Sequence, residues 1–168
     1  GLRDARRVTI RPFTAADVDA VHAFFKRLPE EYVRCAWDRI DQRATVERWA
    51  EELDFDRAVP LLALDQKRVV ADATIHYRDG GPLRLVGRIK WLIDPEYRGV
   101  GLGTVFVNDF ITLGRENGLR HLTCMLIQEL EEDAIATLKS MGFESYTISG
   151  YGVDPDGTPR DMVKMILK

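Results

Sequence analysis

Three glycines alternate with single apolar residues in Gly99-Val100-Gly101-Leu102-Gly103, with Arg98 ahead of them and Thr104 behind. A glycine in a regular element costs roughly 0.5–1 kcal/mol against alanine, so this density needs a reason. The chemistry such a backbone offers is anion binding: N–H groups with no Cβ in the way can approach a phosphate closely. Two common phosphate patterns are absent. Counted from Gly99, G-x-G-x-x-G fails at Thr104, and no Gly-Lys-Ser/Thr follows. A tight turn without a ligand would need one glycine; three at alternate positions favour a ligand.

Residues that could act on such a ligand are dispersed. Arg88 and Lys90 alternate within a β-like run and so share one face. Glu129, Glu131 and Glu132 precede a helical run and could supply a base, although acidic first turns also suit the helix dipole. His76 could act as a base at the end of another β-like run. The plainer alternative is a satisfied or exposed strand histidine. Cys124 reads as a small core hydrophobe. Cys35 and Cys124 lack metal or redox spacing, and His22, His76 and His121 are scattered, so no metal is expected.

The elements that position these residues follow from periodicity. "VTIRPF" (8–13) alternates as a strand. Residues 14–28 form a helix in which Val18, Val21, Phe25 and Leu28 share a face, Thr14 and Asp17 make a variant capping box, and Pro29 ends the run. Residues 43–53 form a second helix, and 30–41 stay ambiguous. Strands follow over 58–65, 68–77 and 84–94, the last two separated by the turn "RDGGP". Behind the glycines, 104–118 reads as a helix, 119–128 as a strand and 130–142 as a helix. Strands at 143–149 and 160–167 flank a loop at 150–159. The order β-α-α-β-β-β-α-β-α-β-β predicts an α+β (mixed α/β) fold, a mixed, mostly antiparallel sheet of about seven strands with helices on both faces. The glycine stretch then lies between a strand end and a helix N-terminus, where unpaired N–H groups and the positive dipole end meet.

Composition bounds the function classes. The 168 residues are expected to form one domain, 1–168, with 45% hydrophobic and 30% charged residues and a net charge of −3. No basic excess points to nucleic acid, and no apolar run reaches the ~18 residues of a membrane span. Two cysteines so far apart lead to the expectation of a reducing cytoplasmic setting, and no signal peptide is visible. Gly1 in place of Met fits either a trimmed tag or an excised domain.

Arg98-x-x-Gly101-x-Gly103, preceded by "IDPEY", resembles the acyl-CoA signature of the Gcn5-related N-acetyltransferase (GNAT) superfamily. "AIATLKSMGF" (134–143) resembles the superfamily's helix end A-x-x-L-Y-x-K-x-GF, and the predicted element order resembles its fold. More loosely, "VTIRPF", "FFKRL" and "FDRAVPLLALD" look like the acetyltransferase domain of bacterial protein-lysine acetyltransferases. The resemblance implies acetyl-CoA as co-substrate and an amine of a small molecule or a protein lysine as acceptor. It implies no metal, and it leaves the oligomeric state open. The backbone of Arg98, Gly99, Val100, Gly101, Leu102, Gly103 and Thr104 would hold the pyrophosphate, and Trp91, Leu92 and Ile93 would pair with the pantetheine arm like an added strand. The N–H groups near Leu92 and Ile93 would polarise the thioester carbonyl.

The catalytic positions depart from the family's pattern. Arg88 stands where the family often has a Glu base, Leu138 where it often has a Tyr acid, and Glu131 where it has an Asn. Glu131 and Leu138 are therefore carried over as cofactor-binding positions, with Glu131, His76 and Arg88 as catalytic candidates. The reading is an N-acyltransferase; the alternative is a weakly catalytic acetyl-CoA-binding sensor.

Overall fold

A computed structural model describes residues 1–168. Its strands are β1 (Thr9–Pro12), β2 (Ala58–Asp65), β3 (Arg68–His76), β4 (Val86–Ile93), β5 (His121–Ile127), β6 (Glu144–Val153) and β7 (Pro159–Leu167). Its helices are α1 (Val18–Arg27), α2 (Glu30–Cys35), α3 (Arg43–Glu51), α4 (Leu102–Glu116) and α5 (Glu132–Ser140). The strands form one sheet in the order β1-β2-β3-β4-β5-β7-β6. β1 with β2, β5 with β7 and β6 with β7 are antiparallel; β4 with β5 is parallel. Two parallel neighbours cannot be joined by a tight turn, and α4 is the crossover between them. This is the mixed, mostly antiparallel sheet that the sequence predicts. No helix is long and apolar enough to cross a membrane.

The chain forms two compact units, residues 1–74 with 91–106 and residues 75–90 with 107–168. In the first, α1 buries Val21, Phe24 and Phe25. Phe25 meets Trp49 of α3 edge-on, with ring centroids 5.8 Å apart. Pro29 ends α1 because the residue before a proline avoids helical backbone; Leu28 is extended at φ −68°, ψ 145°. The ambiguous stretch 30–41 contains the short helix α2, which fully buries no side chain and packs only the half-buried Tyr32 and Val33 on the core, so it carries little hydrophobic period.

The predicted capping box forms at Thr14 and Asp17, closing a 3-10 turn ahead of α1. Asp17 is only 6% exposed. It accepts the Thr14 N–H at 2.8 Å and both Arg11 guanidinium nitrogens at 2.7 and 2.8 Å. These partners, Arg11 first, hold its carboxyl below the usual carboxylate range. A depressed folded-state pKa adds stability that is present above the unfolded value, about 3.9, and lost as pH falls through the folded one. Asp17→Asn is therefore expected to cost about 2 kcal/mol at neutral pH. Urea unfolding should show the two proteins converging as pH falls through the lowered folded-state value; a gap that stays constant through acid would assign the loss to packing instead.

In the second unit β5 alternates cleanly, burying Leu122, Cys124 and Leu126. β6 and β7 reach further than the sequence pattern implies. Residues 150–153 and 159, read as loop because of their glycines and prolines, extend the hairpin past an irregularity between Ile148 and Gly152. Two carboxylates hold that extension. Asp154 pairs with Arg160 at 2.8 Å, and Asp161 accepts the Gly150 N–H at 2.7 Å.

Candidate functional site

The glycine stretch is set up by the four residues before it. Where β4 ends, Asp94 donates its N–H to Val70 O at 2.9 Å. The Asp94 side chain accepts the Glu96 N–H at 2.9 Å, Pro95 supplies a fixed φ, and Tyr97 N–H donates to Asp94 O at 2.8 Å. This single 3-10 turn drives Tyr97 inward, to 2% exposure. The Tyr97 hydroxyl donates to Asp65 at the end of β2, and the Arg6 guanidinium lies over its ring, 3.9 Å from the centroid. "IDPEY" is thus a cap, a rigid turn and a plug beneath the loop.

Gly99 and Gly101 take φ of 72° and 94°, backbone that side-chain-bearing residues rarely adopt. Gly103 serves differently. It lies inside α4, where an added Cβ would meet only the Ile93 Cδ1 at 3.8 Å. The first bond of α4 runs from Val105 N–H to Gly101 O at 3.1 Å. The N–H groups of Leu102, Gly103 and Thr104 therefore precede the helical ladder, at the positive end of a helix of 15 residues. Arg98 turns its side chain aside, its guanidinium carbon 4.2 Å from the centroid of the Tyr32 ring on α2. Trp91 and Leu92 are half-buried, Ile93 is buried, and Leu92 packs on the cluster around Phe24 and Phe25. The first unit thus brings together Trp91–Ile93 and 98–104, all predicted from the sequence to serve one ligand.

The remaining predicted residues belong to the second unit. β4 pairs with β5 over three residues, Val86–Arg88 against His121–Thr123. Arg88 is exposed and forms no salt bridge; Lys90, on the same strand face, is half-buried. Glu131 closes the turn from β5 into α5, with one carboxylate oxygen accepting the Ile127 N–H at 2.6 Å. Leu138 is a core residue of α5, 1% exposed. His76 is half-buried at the end of β3. Burial, with the Glu131 charge in second place, pushes the Cys124 thiol up to about 12, so at neutral pH it stays protonated and is no nucleophile. The sequence reading missed the partners of Tyr97 and the contact of residues 1–7 with this loop. The cap at Asp94 was detectable as Asp-Pro ahead of a short polar turn, but no local pattern links residue 3 to residue 100.

A family model described as an acetyltransferase (GNAT) domain matches residues 7–144. No curated protein matches the sequence significantly. Among solved structures, the GNAT-family acetyltransferase from Streptococcus pneumoniae superposes with a TM-score of 0.81 at 19% identity, covering 96% of this chain and 99% of that one. The ribosomal-protein-alanine N-acetyltransferase from Brucella melitensis gives 0.78 at 23% identity, covering 95% and 98%. A GNAT superfamily phosphinothricin acetyltransferase from Sinorhizobium meliloti, in complex with AcCoA, gives 0.79 at 19% identity, covering 95% and 87%.

Proposed function

The chain belongs to the GNAT acetyltransferase family, and on that premise we propose that it transfers the acetyl group of acetyl-CoA to the amine of a small molecule or a protein lysine. The observation that carries the reading is the loop. Gly99 and Gly101 at positive φ aim a short backbone segment ahead of α4, and nothing lies within 4 Å of a Cβ built at Gly99. That cradle fits a diphosphate held by the N–H groups of 99–104. Trp91–Ile93 lie beyond the stretch of β4 paired with β5, and their backbone serves the pantetheine arm as an added strand. Acetyl-CoA, when bound, supplies an activated thioester.

The chain's own residues then have two tasks. The N–H groups near Leu92 and Ile93 stabilise negative charge on the thioester oxygen. A free amine must also be generated, since an alkylammonium with a pKa near 10.4 is almost wholly protonated at neutral pH. Glu131 has one oxygen engaged by Ile127, and His76 is half-buried; both stay proposals for the base. A thiol has a reference pKa near 8.5, so an acid on this chain to protonate the leaving group would be helpful but not essential. Arg88, exposed and outside any salt bridge, supports an acceptor or acyl group that carries negative charge. The free thiols of Cys35 and Cys124 support a reducing, cytoplasmic setting.

Native mass spectrometry of the purified protein, followed by a thiol-release assay on amines of differing charge, tests the reading. A CoA ester retained or taken up, with amine-dependent thiol release, is the expected result. Failure to bind any CoA ester would overturn it. A second reading, a CoA-ester sensor, is favoured by one observation: Leu138, at the family's Tyr position, is sealed in the core. Tight binding with no thiol release across the panel would select it.

A further inference from the structure

Residues 1–7 hold three arginines against one aspartate, and they fold into a hook. Leu2 N–H donates to Arg6 O at 2.8 Å, Ala5 N–H donates to Leu2 O at 3.0 Å, and Leu2 is 8% exposed. The hook docks on the loop just described. Arg3 N–H donates to Val100 O at 3.0 Å. Arg6 donates to the Glu96 carbonyl at 2.6 Å while its guanidinium covers Tyr97. Arg6 also has a carboxylate partner, Asp4. Arg3 differs: it is exposed and takes part in no salt bridge. Its side chain runs beside Gly101, where an added Cβ would lie 3.6 Å from the Arg3 Nε and 3.8 Å from its Cγ. A guanidinium without a carboxylate thus stands next to the residue whose carbonyl opens α4, within reach of the N–H groups that precede the helical ladder.

We propose that the hook of residues 1–7 is part of the cofactor site, with Arg3 donating to a phosphoryl oxygen of coenzyme A and Arg6 positioning the hook. The inference rests on the assignment of 98–104 to the CoA diphosphate. A planar guanidinium suits this task because it offers paired donors to a phosphate and keeps its charge at any working pH. The backbone bond from Arg3 to Val100 fixes the start of that side chain, so less freedom is lost when a phosphate binds than for a lysine on a loose tail. The oxygen belongs either to the diphosphate or to the 3′-phosphate. Both are phosphate monoanions or dianions of one ligand, and the comparison below separates them.

Calorimetry on the whole protein with CoA and with dephospho-CoA, for the unmodified chain, Arg3→Ala, Arg3→Lys and Arg3→Met, tests the proposal. Arg3→Ala should weaken CoA binding about tenfold, as expected for one charge-assisted contact at an exposed site, with the melting temperature unchanged. Arg3→Lys should restore part of the affinity and Arg3→Met none. If the loss falls on CoA alone, the guanidinium serves the 3′-phosphate; if it falls equally on dephospho-CoA, it serves the diphosphate. Unchanged CoA affinity in Arg3→Ala overturns the proposal. So does recovery by Arg3→Met, which keeps the stem without the charge and would make the contact apolar packing. Absence of CoA binding by the unmodified chain would instead overturn the cofactor assignment itself, and this inference with it. Arg6→Ala should also weaken CoA, and should expose the hook to limited proteolysis; intact protection with full affinity would remove Arg6 from the account.

Discussion

Gly101→Val is expected to weaken acetyl-CoA binding by about a hundredfold, with the unfolding transition still cooperative. The residue sits at φ 94°, where a β-branched side chain costs about 1–3 kcal/mol. The chain can relieve that strain by rotating φ to a negative value. Doing so swings the adjoining peptide groups, and with them the N–H groups assigned to the diphosphate. Each charge-assisted hydrogen bond lost is worth about 1.5–3 kcal/mol, so one or two account for the expected change. Gly103→Ala separates strain from crowding. Gly103 is helical, without positive φ, and its Cβ would meet only Ile93. Alanine there relieves a helix of about 0.5–1 kcal/mol of glycine cost. Calorimetry should find Gly103→Ala close to the unmodified protein if backbone direction governs binding. An equal loss in both variants would mean that the ligand touches the Cα of each glycine. Unchanged affinity in Gly101→Val would remove the phosphate from this loop.

How far such a site could be read in advance depends on whether its signals are local. The capping box at Thr14 and Asp17 needs residues three apart, and the positive-φ turn needs glycines two apart; both are visible in the chain order. The helix between β4 and β5 was visible in the chain order, whereas their parallel pairing comes from the structure. Periodicity failed where burial did not alternate. α2 fully buries no side chain, its Tyr32 and Val33 only half-covered against the core, so no pattern marked it, and the glycines of 150–153 looked like loop because the carboxylates that hold the hairpin come from Asp154 and Asp161. Leu138 shows a different limit. Alignment by "GF" places it at a chemical position, yet its 1% exposure is set by packing that no neighbouring residue type reveals. A Tyr there would have to repack the core of α5 before its hydroxyl could reach a thiolate, at a cost of about 1–3 kcal/mol.

Tyr97 concentrates these non-local contacts, and its replacement is expected to have the largest effect on stability. Tyr97→Ala should lower unfolding free energy by about 3–5 kcal/mol, the range for deleting a buried aromatic ring. The ring is 2% exposed beneath the loop. Its loss also takes away the surface that Arg6 covers and the donor that Asp65 accepts from. With Arg6 unseated, the hook and the glycine turn lose a shared floor, so acetyl-CoA affinity should fall with stability. Tyr97→Phe distinguishes the two roles of the side chain. It keeps the plug and the cation–π contact, worth about 0.5–1 kcal/mol at an exposed site, and removes only the hydroxyl. The half-buried Asp65 carboxylate then seeks water or Arg68, whose charged form Tyr97 already favours. The expected cost is about 1–2 kcal/mol with acetyl-CoA affinity nearly intact. Urea unfolding and calorimetry on both variants measure this directly. If Phe loses as much affinity as Ala, the loop is held by the hydrogen bond to Asp65 rather than by the ring. In that case β2, through Asp65, would be the element that sets the glycine turn.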